Sequence, residues 1–202
     1  MPSRKQAIFA VIALFLTLAI ALAAALFRGD GHLPVSTGEA LVGGSFSLRD
    51  QDGKMVTDRN FLGKYMLVFF GYTYCPDVCP TELQVMTQAI EAMGRAGEAI
   101  QPVFITIDPE RDTPEVLKAY VANFGPRLIG LTGSQGEVAA AAKAYRVFYK
   151  KVENADGNAY LMDHTSIIYL MDRKGLYVRH FTYSTDAKAL SEALADAMDA
   201  SL

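Results

Sequence analysis

Two apolar runs constrain this chain more than anything else in it: YMLVFFGY at 65–72 and PVFITID at 102–108. Neither alternates with polar residues, so each has to be covered on both faces, as strands in the middle of a parallel sheet are. Each also runs into a helical pattern. After the first, Leu83, Met86 and Ile90 recur at helical spacing between Thr81 and about Met93. After the second, Asp112 and Glu115 predict a capping box with Pro114 in the first turn, and Gly125–Pro126 ends the helix. RLIGLTG reads as a third strand, and Ser134 with Glu137 as a second capping box opening a helix to about Tyr145. Upstream, FSLRDQDGKMVT at 46–57 is a hairpin around Asp52–Gly53. Downstream, VFYKKVE, TSIIYLMD at 165–172 and LYVRHFT are strands, and a helix from about Asp186 carries Leu190, Leu194 and Met198 on one side. Strands alternating with helices predict an α/β fold: a central, mostly parallel sheet with an N-terminal β-hairpin and helices on both faces.

The first 28 residues belong to a different environment. Arg4 and Lys5 precede an apolar run, 7–27, broken only by Thr17. At about 1.5 Å per residue those 21 residues span a bilayer core, and the run exceeds the usual length of a cleaved signal's apolar region. Ala21-Leu22-Ala23 offers a cleavage pattern, but a membrane anchor is the better reading. The basic pair holds the N-terminus inside and sends the rest outward. The expected organisation is an anchor at 1–28, a linker at 29–42 that includes His32, and one domain at 43–202. The expected location is a bacterial inner membrane, crossed once, with the soluble domain in the periplasm. The formal net charge is −3, and no basic stripe with interleaved aromatics occurs, which argues against nucleic acid as a partner. Lys143, Arg146, Lys150 and Lys151 form the densest basic cluster, a solvated face or a docking patch for an acidic partner.

Both cysteines, Cys75 and Cys79, lie in GYTYCPDVCPTEL, where the first buried strand passes into its helix. Three uses compete: a structural disulfide, a redox pair, or two metal ligands. A bridge closing so short a loop restrains the unfolded chain little, so the structural use is the weakest. Positions i and i+4 meet on one helical face, and a helix N-terminus favours thiolate, which makes both better ligands and better nucleophiles. Pro80 suits the first helical position, Pro76 stiffens the loop, and Asp77 is a cap or a tuning charge. Thiol–disulfide enzymes usually place two residues between their cysteines. Here there are three, a wider bite that leans towards a metal.

A dithiol at the end of an early strand, followed much later by a hairpin and a terminal helix, resembles the thioredoxin-like fold. In oxidoreductases of that fold a cis-proline precedes the first hairpin strand and faces the dithiol. The last proline of this chain is Pro126, and Asp163-His164-Thr165 stands in that place. Topology therefore sets His164 opposite the thiols and makes an S₂N set. Two thiolates and an imidazole suit copper first and zinc second. Asp163 is a candidate fourth ligand or partner of a ligand. His180, in mid-strand, reads as structural or surface; Met86 and Met93 read as core. Tyr72 and Tyr74 either shield the metal or pack at the strand end. In DPERDTP, Asp108, Glu110, Arg111 and Asp112 read either as a partner-docking loop beside the site or as a turn and helix cap; the cap explains Asp112 and Pro114, and Asp108 stays open.

CPDVCP, TIDPERDTPEVL and the later DHT before an apolar strand together resemble the SCO/SenC family, over roughly residues 40–200. That resemblance implies a membrane-anchored, thioredoxin-like copper protein with Cys75, Cys79 and His164 as ligands of Cu(I), Cu(II) or both. It also implies work on the dinuclear copper centre of cytochrome c oxidase, with the oxidase's copper-bearing subunit as partner. Two activities fit: copper delivery, and reduction of that subunit's cysteines by Cys75 and Cys79, which needs a thiol reductant to keep them reduced. A thiol peroxidase and a copper or redox sensor are the other readings.

Overall fold

The computed structural model describes residues 42–153 and 160–199. The apolar run 7–27 and most of the linker, including His32, lie outside them. No helix among the described residues is long and apolar enough to cross a membrane.

The expected N-terminal hairpin is β1 (Ser47–Asp50) and β2 (Met55–Thr57), with Leu48 opposite Val56. Asp50 Oδ1 accepts from the Asp52 and Lys54 amides at 2.9 Å, and Gly53 takes the positive φ, 78°, that closes the turn. The first apolar run becomes β3 (Tyr65–Gly71), all seven residues buried, followed by α1 (Val78–Ala92). The second becomes β4 (Ile100–Thr106), followed by α2 (Pro114–Val121). Next come β5 (Ile129–Thr132) and α3 (Gln135–Ala144), whose Ser134–Glu137 capping box forms as expected. The chain continues through β6 (Tyr149–Glu153), β7 (Tyr160–His164), β8 (Ile167–Met171), β9 (Tyr177–Thr182) and α4 (Ala187–Asp199).

Seven strands form one sheet in the order β2-β1-β5-β4-β3-β8-β9. Its parallel part is narrower than the sequence suggests: only β3, β4 and β5 run parallel, while β1, β2, β8 and β9 pair antiparallel. Helical crossovers join the parallel neighbours and tight turns join β1 to β2 and β8 to β9, while β1–β5 and β3–β8 pair antiparallel across longer stretches of chain. The middle strands are covered on both sides. Phe69 stacks on Phe104, whose ring lies against Tyr120 of α2, whereas Phe70 packs on Tyr145, just past α3, and on Tyr169 of β8. Burying each such side chain contributes about 1.5–3 kcal/mol. α4 seats Leu190 and Leu194 in the same core. The plan is thioredoxin-like.

β6 and β7 depart from the expected order. They form a separate two-stranded sheet, with Tyr149 opposite His164, and share no strand pairing with the main sheet. The stretch before the late hairpin is therefore a strand of its own.

Candidate metal centre

The site is built where β3 runs out. Beyond Gly71 the chain turns through Tyr72, Thr73 and Tyr74 to Cys75, whose amide donates to the Tyr72 carbonyl at 3.3 Å. The helix begins at Val78, three residues earlier than its apolar spacing indicates, which puts Cys79 in the first turn and Pro80 third. Pro80 is still accommodated, because the first four helical amides lack partners within the helix. Asp77 occupies the capping position, but its side chain makes no capping bond.

A buried carboxylate holds the loop. Asp112 accepts from the Thr73 amide at 3.0 Å and from the hydroxyls of Thr73 and Thr106, each at 2.6 Å. The expected Asp112–Glu115 capping box does not form; Thr113 caps α2, its hydroxyl accepting from the Val116 amide. Asp112 is thus one residue too early to cap and is turned into the protein beneath the thiol loop. Burial pushes its carboxyl up, against the opposing pull of those hydrogen bonds.

Both thiols are free, Cys75 half-buried and Cys79 fully buried. The Cys79 amide donates to Cys75 Sγ at 3.4 Å. A hydrogen bond from the Cys79 thiol holds Cys75 far below the ordinary thiol range, against burial and with help from His164 and the backbone of Asp77 and Cys79. The same bond, with burial, holds Cys79 far above it. The pair therefore shares one proton: the outer sulfur is thiolate, the inner one thiol.

His164 ends β7 with Nε2 3.5 Å from Cys79 Sγ. Its Nδ1 lies 3.2 Å from the Thr165 carbonyl. The imidazole is thus held between a backbone carbonyl at Nδ1 and the inner sulfur at Nε2. The rings of Phe69 and Tyr72 meet the imidazole edge-on at 6.1 and 6.0 Å. Bonds of about 2.3 Å to sulfur and 2.0–2.1 Å to imidazole, at a tetrahedral angle, place the two donors about 3.6 Å apart. The observed separation fits two ligands of one ion. No three His, Cys, Asp or Glu side chains among the described residues are gathered as a ready-made cage.

The other candidates fall elsewhere. Asp163 is exposed and, as His164's neighbour along a strand, points to the opposite face of the hairpin. His180 hydrogen-bonds the Tyr177 hydroxyl at 2.6 Å on the exposed edge strand, and Met86 is core. Tyr72 is buried beside the imidazole, while Tyr74 is exposed. Of the basic cluster, Lys151 pairs with Glu110 at 3.2 Å. Sequence reasoning missed Thr73 and Thr106 as partners of Asp112, whose only signal was an acid one residue before a Thr-Pro helix start.

Gly71 shows how tightly the inner sulfur is held. A β-carbon there would lie 2.8 Å from Cys79 Sγ and 3.0 Å from the Phe104 ring. Gly71→Ala is expected to cost about 1–3 kcal/mol of stability by overpacking. It also has to push Cys79 Sγ off its line to His164, so a denaturant melt should fall and copper affinity with it. An unchanged affinity would mean that the sulfur's position is not set by this contact.

A model of the SCO1/SenC family matches residues 34–199. An Arabidopsis thaliana mitochondrial SCO1 homolog 1 is 43% identical over 160 residues, 79% of this chain and 48% of that protein. A SCO2-like protein of Rickettsia felis is 40% identical over 165 residues, covering 81% of this chain and 80% of that one. The chain therefore spans about half of the plant relative and four-fifths of the rickettsial one. Among solved structures, Arabidopsis ScoI with copper bound superposes with a TM-score of 0.76 at 41% identity, over 79% of this chain and 99% of that one. BsSco, described as a member of the Sco family of cytochrome c oxidase assembly proteins with a disulfide switch, gives 0.61 at 25% identity, over 80% and 94%. The dithiol, the histidine behind it and the thioredoxin-like frame thus sit in a sequence matched along four-fifths of its length, and the chain belongs to the SCO1/SenC family.

Proposed function

We propose that this protein is a copper metallochaperone that binds copper through Cys75, Cys79 and His164 and works on the dinuclear copper centre of cytochrome c oxidase. One observation carries the reading: Nε2 of His164, whose Nδ1 sits at the Thr165 carbonyl, lies 3.5 Å from Cys79 Sγ. Copper is the cargo. Cys75, the outer thiolate, meets an incoming ion first; Cys79 then gives up its proton, and His164 closes the set from behind. An acceptor thiolate entering on the exposed Cys75 side can add before a ligand leaves, which makes exchange easy. The run at 7–27, with Arg4 and Lys5 before it, supports a single-pass anchor at 1–28 and a linker at 29–42 that set the domain at 43–202 outside a bacterial inner membrane.

The asymmetry of the thiols favours a second activity of the same site, reduction of the cysteines of the oxidase's copper-bearing subunit. Cys75 thiolate attacks one sulfur of the target disulfide, forming a mixed disulfide and releasing the other sulfur as thiolate. Cys79, once deprotonated, attacks Cys75, so the target leaves with two reduced sulfurs and this chain holds the disulfide. A separate thiol reductant then has to restore Cys75 and Cys79.

The deciding experiment is a Cu(I) titration of the reduced full chain against a competing chelator, followed by the visible spectrum with Cu(II). One equivalent should bind tightly, at least about 100-fold more weakly in His164→Ala, because even partners of a ligand are worth 10–100-fold. A sulfur-to-copper charge-transfer band should appear. Loose binding indifferent to His164 would refute the metal reading and leave the thiol exchange.

A further inference from the structure

His164 reaches the dithiol on a hairpin that pairs with no strand of the main sheet, so its position depends on side chains. The Thr165 amide, donating to the Phe148 carbonyl at 2.9 Å, only extends the hairpin's own pairing beyond Tyr149 and His164. In its middle, Met162 is buried and its backbone hydrogen-bonds the Tyr72 hydroxyl. The far end, at Tyr160, is held by a different device.

Arg111, in the loop between β4 and α2, lies with its guanidinium carbon 3.6 Å from the centre of the Tyr160 ring. Its Nη1 donates to the Tyr160 carbonyl at 3.0 Å. Asp108 fixes the guanidinium through Nε and, with its other oxygen, accepts from the Tyr160 hydroxyl at 2.8 Å. Asp108 is itself 3% exposed, and its amide donates to the Thr106 hydroxyl at 2.9 Å. Lys151 covers the same ring at 3.8 Å. The guanidinium also approaches the rings of Tyr74, at 4.7 Å, and Tyr72, at 5.7 Å, on either side of Thr73 in the thiol loop. One planar cation therefore touches both segments that bring sulfur and imidazole together. A capping or solvated arginine would not be forked between a buried carboxylate and another strand's carbonyl while stacked on that strand's ring.

We infer that Arg111, clamped by Asp108, is a positioning residue that holds the β6–β7 hairpin, and through it His164, at the dithiol. It touches no reacting atom and acts through Tyr160. The inference rests on the proposed copper site only for its affinity arm; its structural arm stands without metal.

Both arms use the full chain, reduced. Without metal, amide hydrogen exchange in Arg111→Met should quicken about tenfold across residues 160–164, the effect of losing one charge-assisted hydrogen bond. The amides of β3, β4 and β8 should exchange as in wild type. With copper, Arg111→Met should weaken Cu(I) by about 10–100-fold, and by nothing further once His164→Ala is already present. Unchanged exchange in the hairpin would overturn the inference, and so would an equal copper loss in both backgrounds, which would mean that Arg111 acts elsewhere. If His164→Ala alone leaves copper binding unchanged, the three-ligand reading falls and the exchange arm decides the latch. Should Arg111→Met lose protection everywhere, Tyr160→Phe removes only the hydroxyl bond to Asp108; it should quicken the same five amides, and no change in them would overturn the latch.

Discussion

Cys79→Ala is expected to weaken Cu(I) binding by more than about 100-fold, beyond the 10–100-fold that loss of a ligand's partner costs. The effect should be larger than the lost sulfur alone would give, because the Cys79 thiol is also the chief reason that Cys75 is a thiolate. Without that donor the Cys75 thiol should climb back towards the ordinary value of about 8.5. In wild type Cys75 is ionised in mildly acidic solution and should be alkylated there; in the variant the rate at pH 6 should drop and recover only as the pH passes that value. Thiolate absorbance in the ultraviolet, followed against pH in both proteins, measures the shift directly. A midpoint unmoved by Cys79→Ala would show that the helix terminus and His164, rather than the neighbouring thiol, hold the outer sulfur ionised.

The second large effect lies beneath the site. Asp112→Ala strips the partner from the part-buried amide and hydroxyl of Thr73 and from the fully buried Thr106 hydroxyl. Leaving them unsatisfied is expected to cost about 3–5 kcal/mol, read as a fall in denaturant midpoint. Asp112→Asn keeps an acceptor for Thr73 and Thr106 and should cost far less. The carboxyl is held above its usual value, chiefly by burial. For an acid shifted upward, the folded state binds the proton more tightly than the unfolded one, so its contribution is greatest at low pH and declines as pH rises through the carboxylate range. The asparagine variant lacks that decline. Its deficit against wild type should therefore be largest near pH 4 and shrink towards pH 7. A deficit that grows with pH would mean that the hydrogen bonds outweigh burial and favour the ionised form.

The frame of this protein is dictated locally. Two runs too apolar for a half-exposed strand can only be central strands, and the Ser134–Glu137 box, Gly125–Pro126 and the Asp–Gly turns mark where elements begin and end, because each acts within a few residues. The dithiol at a strand–helix junction is legible for the same reason. The place of His164, 85 residues beyond Cys79, was legible only through topology: one position before the late hairpin always returns to the head of the first central strand.

What depended on long-range packing could not be read. Asp112 looks like a cap by spacing, and only the fold reveals Thr73, 39 residues away, as its partner. The link between Arg111 and Tyr160 is invisible in sequence, since stacking and forked hydrogen bonds across 49 residues leave no periodic trace. The sharing of one proton between Cys75 and Cys79 likewise needs their burial, which differs although both are cysteines beside proline. Sequence by itself determined most of the elements and named Cys75, Cys79 and His164 as the residues to look for, because helix caps, turns and apolar periodicity are short-range. Tertiary structure decided how those three are held and charged, because desolvation and hydrogen-bond geometry exist only once distant segments meet.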